Sequence, residues 1–381
     1  MMTEFNLPAD GIFIGRIWDP EAAGPSVVTI RDGAVVDITS KRAPTVRDIC
    51  EMEDPAAYVR DAQGVTVGEL AALTANAGSM AKPHFLAPCD LQAVKACGVT
   101  FASSMVERVI EEQAAGDPKK ALDIRARVGE VIGGSLRNIK AGSEAAAKVK
   151  AALIAEGLWS QYLEVGIGPD AEVFSKAQVL SSVGPGAEVG LHPISKWNNP
   201  EPEIVLSVAS TGRIVGAALG NDVNLRDVEG RSALLLGKAK DNNASCSIGP
   251  MIRLFDDGFT LDDVRQAELE LTVAGEDGYV LKGHSSMKEI SRDPADLVAQ
   301  TLGRHHQYPD GLVLFLGTLF APTQDRDTPG EGFTHKVGDV VTIASPGLGN
   351  LTNTVRLSTQ CPEWTFGVAS FMRNLAARNL I

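Results

Sequence analysis

The sequence predicts an α+β fold in three stretches: a small N-terminal α/β domain over 1–95, a helical segment over 96–164, and a β-rich domain over 165–381. Three textures carry that prediction. The first stretch alternates apolar and polar residues around "RDGAVVDI". The second is rich in Ala, Glu, Lys and Arg at helical spacing, and the third is a series of short apolar runs separated by Gly, Pro, Asn and Asp. A chain of 381 residues with 44% hydrophobic content can bury one large core or two modest ones.

Taken in order, residues 11–40 read as short strands joined by the Asp-Gly turn of "RDGAVVDI". "SSMVERVIEEQAAG" and "SEAAAKVKAALIAEGLWSQYL" place apolar residues three and four apart, which marks helices between about 103 and 160. Beyond 165, "EIVLSVA", "RIVGAAL", "AELELTVAGEDGYVLKG", "GLVLFLG" and "DVVTIASPGLGNLTNTV" read as strands and hairpins. "FGVASFMRNLAARNLI" closes the chain as a helix. There is no internal repeat, low-complexity tract or flexible linker, so the parts are expected to pack directly together.

Composition excludes several classes. With 35 basic and 48 acidic residues the formal charge is −13, spread along the chain, so a phosphate backbone is not an expected partner. The five cysteines, Cys50, Cys89, Cys97, Cys246 and Cys361, form neither a CxxC pair nor a Cys/His metal pattern, and fit a reducing cytoplasm. The opening "MMTEFNLPADGIFIG" lacks a basic start followed by an apolar core, and no apolar run reaches membrane-spanning length. The expectation is a cytoplasmic protein that is neither exported nor membrane-embedded. No Walker pattern or G-x-G-x-x-G fingerprint implies a nucleotide, and His305 and His306 precede the turn signal "YPDG", which favours a packed or surface pair over a ligand pair.

The chemistry concentrates in "NNPEPEIVLSVASTGRIVGAALGNDVNLRD", residues 198–227. Residues two apart on a strand share a face, so Glu201 and Glu203 converge. If "EIVLSVA" turns at "STG" and returns as "RIVGAALG", Asp222 comes back to the end where the glutamates began. Three hard oxygen ligands then meet, suited to an octahedral Mg²⁺ or Mn²⁺ with positions left for water and substrate. From spacing alone, a solvated acidic edge remains the alternative reading.

That stretch, followed by "AKDNNASCSIGP", "FLGT" and "VGDVVTIASPGLGNLTNTV", resembles the fumarylacetoacetate hydrolase family from about Gly98 onward, with the motifs in family order. The resemblance implies a β-rich domain built as a mixed β-sandwich or roll. It places a magnesium ion on Glu201, Glu203 and Asp222, and it implies a homodimer or homotetramer.

Two departures bear on activity. Hydrolytic members carry an N-Y-x-x-H-x-x-E-like stretch that activates water, and its counterpart here is "TFASSMVE": Thr100 and Phe101 replace Asn and Tyr, Ser104 stands at the histidine, and Glu107 is kept. Without the imidazole no group of near-neutral pKa is there to deprotonate water. "GPDAEVFSKA" resembles the family's R-P-E-x-F-x-K stretch, with Glu172 and Lys176 retained and Asp170 and Ala171 in place of Arg-Pro.

This combination, together with "APTVRDI", "GVTFASSMVERVIEE" and "HHQYPDG", is similar to the dehydratase branch acting on 2-keto-3-deoxy-D-xylonate in non-phosphorylating pentose oxidation. The resemblance implies loss of water from a five-carbon 2-keto-3-deoxy sugar acid to give 2-oxoglutarate semialdehyde. Glu172 is the candidate acid at C4, with a surface or salt-bridged glutamate as the other reading. Lys240 either holds the substrate carboxylate or acts as base. Glu107 completes the catalytic candidates. Lys176, Gly317, Thr318, Ser103 and Ser104 are candidates to contact substrate, although Gly317 and Thr318 also read as a strand end, and the two serines as helix N-caps. The helical segment reads as a lid that excludes water. An acylpyruvate or β-diketo acid hydrolase and a non-catalytic sugar-acid binding protein are the alternatives. The first needs a water-activating base, and the second does not need the Glu201, Glu203, Asp222 and Lys240 set.

Overall fold

The computed structural model of the chain describes residues 6–124, 136, 139–319 and 322–381. Its strands, in chain order, are β1 (Phe13–Asp19), β2 (Gly24–Arg31), β3 (Ala34–Asp37), β4 (Val65–Glu69), β5 (His84–Leu86), β6 (Ala93–Cys97), β7 (Val173–Ala177) and β8 (Glu188–Leu191). They continue as β9 (Pro202–Val208), β10 (Ile214–Asp222), β11 (Cys246–Leu254), β12 (Glu268–Ala274), β13 (Val280–Ser286), β14 (Leu312–Phe315), β15 (Val340–Ser345) and β16 (Gly349–Leu357). The α+β expectation holds. One sheet runs β4-β3-β2-β1-β11-β10-β9-β14-β6-β7 with β5 beside β1, and a second runs β13-β12-β15-β16-β8.

Turn chemistry sets the hairpins. Asp32 and Gly33 both adopt positive φ between Arg31 and Ala34, which pair across the β2–β3 turn, as a primed turn requires. The "STG" turn at Gly212 returns β9 as β10 in antiparallel register, with Glu203 opposite Gly220 and Pro202 opposite Asn221. β12 alternates, with Leu269, Leu271 and Val273 inward and Glu270 and Ala274 exposed, so this strand has one solvated face.

β9 is buried along its whole length because both of its faces are covered. Ile204, Leu206 and Val208 join Leu219, Leu312 and Leu314 against Leu269, Leu271, Val341, Ile343 and Leu351 of the second sheet. Val205, on the opposite face, joins Val313, Phe315, Ile248 and Ile252 against Val46, Ile49, Ala56 and Val59 of the N-terminal helices. Each such side chain contributes about 1.5–3 kcal/mol by leaving water. β1 joins the β4-β3-β2 part of the large sheet to the part that begins at β11: Phe13 and Ile14 pair with β11, while Gly15–Asp19 pair with β2.

Helices at Ala102–Gln113, Glu144–Ala155 and Gln161–Ile167 occupy the predicted helical segment and share a core of Met105, Val109, Ile110, Leu153, Leu163 and Ile167. Residues 125–135, 137 and 138, part of the proposed lid, lie outside the described residues. The closing helix, Val368–Ala377, buries Phe371 and Leu375. Among the described residues no helix is long and apolar enough to cross a membrane.

Candidate active site

The strand order β10-β9-β14-β6-β7 brings a set of ends to one edge of the sheet. β10 ends in Asp222, β9 begins after Glu201, β14 leads into Gly317, β6 leads into Gly98, and β7 begins after Glu172. The period-2 face of β9 and the return of β10 bring the three predicted carboxylates together: Asp222 N–H donates to the Glu201 carbonyl at 3.1 Å. One oxygen each from Glu201, Glu203 and Asp222 lie within 4.8 Å of one another, and all three side chains are buried. The solvated-edge reading is thereby excluded.

Lysines bind this cluster from two sides. The helix Leu236–Lys240 delivers Lys240, whose Nζ donates to Glu201 Oε2 at 2.5 Å and to Asp222 Oδ2 at 3.2 Å. Lys176, on β7, places its Nζ 3.0 Å from Asp222 Oδ1 and also donates to the Lys240 carbonyl. Burial alone would push the Lys240 ammonium towards neutrality, but Asp222, Glu201 and Glu229 hold it above the ordinary lysine value and therefore charged. Of the two roles left open for Lys240, this favours the cation over the base.

Behind the cluster lies a buried ionic chain that the sequence reading missed. Arg108 donates to Glu201 and to Glu111, Arg226 donates to Glu111 at 2.6 Å and to Glu107 at 3.2 Å, and Glu229 Oε2 lies 3.2 Å from Arg108. Arg226 stacks 4.4 Å over the Trp197 ring. Glu111 is three and four residues from Arg108 and Glu107 in "VERVIEE", a charged spacing that a solvated helix face would also show, so the sequence carried no signal of their burial.

The charges test whether a cation fits. Six buried acids (Glu107, Glu111, Glu201, Glu203, Asp222, Glu229) face four buried bases (Arg108, Lys176, Arg226, Lys240), a surplus of two negative charges when all are ionised. Burial raises the carboxyl pKa of Glu203 well above its usual range, with Asp222 and Glu201 adding to the effect, and Glu201 and Glu229 are raised for the same main reason. Asp222 Oδ1 and Glu229 Oε2 are buried without a hydrogen bond of good geometry, despite their nearby cations. A divalent ion would offset this surplus, and the all-oxygen donor set suits Mg²⁺ or Mn²⁺.

The remaining candidates are placed as follows. Glu172 packs against Gly98, where an added Cβ would lie 1.9 Å from Glu172 Oε2. Burial raises its pKa, opposed by Lys240 and Arg108. The Gly317 N–H is not open to substrate: it donates to Glu203 Oε2 at 2.8 Å and so holds that carboxylate. The Lys176 ammonium is likewise fully buried among protein acceptors rather than offered to a ligand. Glu107 pairs with Arg226, at the far end of the ionic chain from Glu201. Ser104 is not an N-cap, because the helix begins at Ala102 with Phe101 before it; its hydroxyl donates to the Thr318 carbonyl at 2.7 Å and ties helix to strand end. The Ser103 side chain lies outside the described residues.

No imidazole joins this cluster. The described partners of all six histidines lie elsewhere: Lys82 for His84, Ile194 for His192, Glu268 for His284, Gln300 for His305, Tyr308 for His306 and Asp339 for His335.

The model of the fumarylacetoacetate (FAA) hydrolase C-terminal family matches residues 168–356. Over 194 residues the chain is 33% identical to a probable 2-keto-3-deoxyxylonate dehydratase of Haloferax volcanii, covering 51% of this chain and 63% of the relative. Over 185 residues it is 28% identical to the 2-dehydro-3-deoxy-D-arabinonate dehydratase of Saccharolobus solfataricus, covering 49% and 58%. The matches thus span about six tenths of these relatives' own lengths. A solved structure of 2-keto-3-deoxy-D-arabinonate dehydratase complexed with magnesium and 2,5-dioxopentanoate shares the fold, with a TM-score of 0.61 at 20% identity over 90% of this chain and 98% of that one. The matched region begins just before Glu172 and contains Glu201, Glu203, Asp222, Lys240 and Gly317, so over residues 168–356 the chain carries a domain of the fumarylacetoacetate hydrolase family.

Proposed function

We propose that the protein is a Mg²⁺-dependent hydro-lyase that removes water from a 2-keto-3-deoxy pentonate, 2-keto-3-deoxy-D-xylonate, and releases 2-oxoglutarate semialdehyde in pentose oxidation. The single observation that carries this reading is the site's composition: a carboxylate metal cluster with two lysines and Glu172, and no imidazole to activate water. The names of the two curated relatives support the same reaction class.

A divalent ion held by Glu201, Glu203 and Asp222 would supply Lewis-acid polarisation of the substrate's 2-keto oxygen and so acidify C3. The charged Lys240 rests on Glu201 Oε2 and Asp222 Oδ2, and would supply a point cation to the substrate carboxylate once a divalent ion takes up those oxygens. Glu172, whose partial burial favours its protonated form, donates to the departing C4 hydroxyl. Loss of the C3 proton and the C4 hydroxyl accounts for the water released. Moving a proton from C5 to C3 in the resulting C3=C4 unsaturated alcohol gives a C4=C5 enol, and moving the C5 hydroxyl proton to C4 then makes C5 the aldehyde, so atoms balance. Ser104, committed to the Thr318 carbonyl, anchors the helix that walls the site.

The test is product analysis by NMR in D₂O, with 2-keto-3-deoxy-D-xylonate offered under Mg²⁺, under EDTA, and to Glu203→Gln. The expected result is metal-dependent aldehyde carrying solvent deuterium, lost in the variant. Inert sugar acid together with cleavage of an acylpyruvate would replace the lyase with a hydrolase.

A further inference from the structure

One side chain grips the carboxylate cluster from outside and is unused in the roles above. Arg108, on the helix Ala102–Gln113, is 5% exposed. Its Nη2 donates to Glu201 Oε1, its Nη1 donates to Glu111 Oε2 at 2.6 Å, and the same Nη1 stands 3.2 Å from Glu229 Oε2. The other oxygen of Glu201, Oε2, is the one that accepts from Lys240 at 2.5 Å. The fork is fixed from behind as well, since Glu111 Oε1 accepts from Arg226 Nε at 2.6 Å.

A glutamate has two equivalent oxygens, and its last torsion is broad, so an unheld carboxylate presents either oxygen in many orientations. An arginine that takes Oε1 from a rigid planar fork stops that rotation and leaves Oε2 facing inward. We propose that Arg108 is a positioning residue for metal binding, fixing Glu201 so that Oε2 is presented to a divalent cation. This rests on the reading that Glu201, Glu203 and Asp222 hold such a cation.

Deleting Arg108 has two physical effects of opposite sign. Removing a positive charge from beside a cation site tightens cation binding by Coulomb's law. Releasing Glu201 weakens it, because outer-shell partners of ligating groups are worth roughly 10–100-fold in affinity. The positioning role requires the second effect to win, which bulk electrostatics alone does not give.

The experiment is Mn²⁺ titration by calorimetry on the full chain, for wild type, Arg108→Gln, Arg108→Lys, Glu201→Gln and the double variant Arg108→Gln/Glu201→Gln, each with its melting temperature in EDTA. Arg108→Gln is expected to bind Mn²⁺ roughly 10–100-fold more weakly. Arg108→Lys, which keeps the charge and one donor, recovers part of that loss. The double variant binds no more weakly than Glu201→Gln alone, since Arg108 acts through that carboxylate. Unchanged or tighter binding by Arg108→Gln overturns the proposal, as does full additivity of the two losses. Failure of the wild type to bind Mn²⁺ removes the metal reading itself. Should Arg108→Gln not fold, Glu111→Gln loosens the same fork from behind and supplies the comparison.

Discussion

Lys176 Nζ stands 3.0 Å from Asp222 Oδ1, although β9, β14 and β6 lie between their strands in the sheet. The contact exists because the sheet rolls, so that β7 approaches the end of β10 through the helix Leu236–Lys240. Lys176→Met leaves Asp222 buried with only Lys240 to offset it, and is expected to cost on the order of 3 kcal/mol. Urea unfolding without divalent ions measures it, and a loss under about 1 kcal/mol would show that the pair does not hold the roll.

Metal binding is expected to stabilise the native chain. At free Mg²⁺ or Mn²⁺ a hundred times its Kd the gain is about 2.7 kcal/mol, visible as a rise in melting temperature reversed by EDTA. Glu203→Gln keeps an oxygen to accept from Gly317 but loses the charge, so it should fold and show little shift. An equal shift in variant and wild type would place the ion elsewhere.

Two glycines in the site bear on catalysis and stability. A Cβ at Gly98 would lie 1.9 Å from Glu172 Oε2 and 2.9 Å from Glu172 Cβ, so the Glu172 carboxylate must swing away and the β6–β7 backbone must give as well; Gly98→Ala is expected to lower kcat roughly 10²–10⁴-fold and to cost about 1–3 kcal/mol of stability. At Gly317, φ is +97° and a Cβ would lie 2.3 Å from Thr100 Oγ1 and 2.5 Å from the Gly98 carbonyl, so Gly317→Ala strains backbone and should cost more than about 2 kcal/mol. Full activity in Gly98→Ala would remove Glu172 from the reaction.

His335 gives the protein an acid-side weakness. Burial lowers its pKa below the ordinary 6.5, with Asp339 opposing the shift. The unfolded chain takes up a proton as pH falls through 6.5 and the folded chain does not, so stability is lost on that side, by at most about 1.4 kcal/mol per pH unit. Urea midpoints at pH 7.5 and 5.5 for wild type and His335→Gln isolate this term, because other titrating groups are common to both. Identical pH dependence in the two proteins would discount it.

The carboxylate cluster was legible because a period-2 face and one hairpin, both local, place Glu201, Glu203 and Asp222 together. The "RDGAVVDI" turn was legible for the same reason. Arg108, Glu111 and Glu229 were not, since their partners come from helices and loops far apart in sequence, and a buried charged residue looks like any surface one until its partner is known. Gly317 read as a substrate contact or a strand end, and nothing in "FLGT" told that its N–H would donate to Glu203, a partner fixed by the β9–β14 pairing. Ser103 and Ser104 looked like caps, yet the helix starts a turn earlier than a hydroxyl at 104 could serve.

The parallel pairing of β6 with β14 sets Ala93 beside Leu312, roughly 220 residues later in the chain. During synthesis, therefore, Gly98 and Glu172 emerge long before the strand that separates them from Glu203 exists. The β9–β10 hairpin can gather Glu201, Glu203 and Asp222 early, but their link to Gly98 and Glu172 waits until the ribosome has delivered β14. Assembly of the complete site is thus a late event, coupled to completion of the sheet, and a chain arrested before β14 holds Glu201, Glu203 and Asp222 without the backbone donor that orients Glu203.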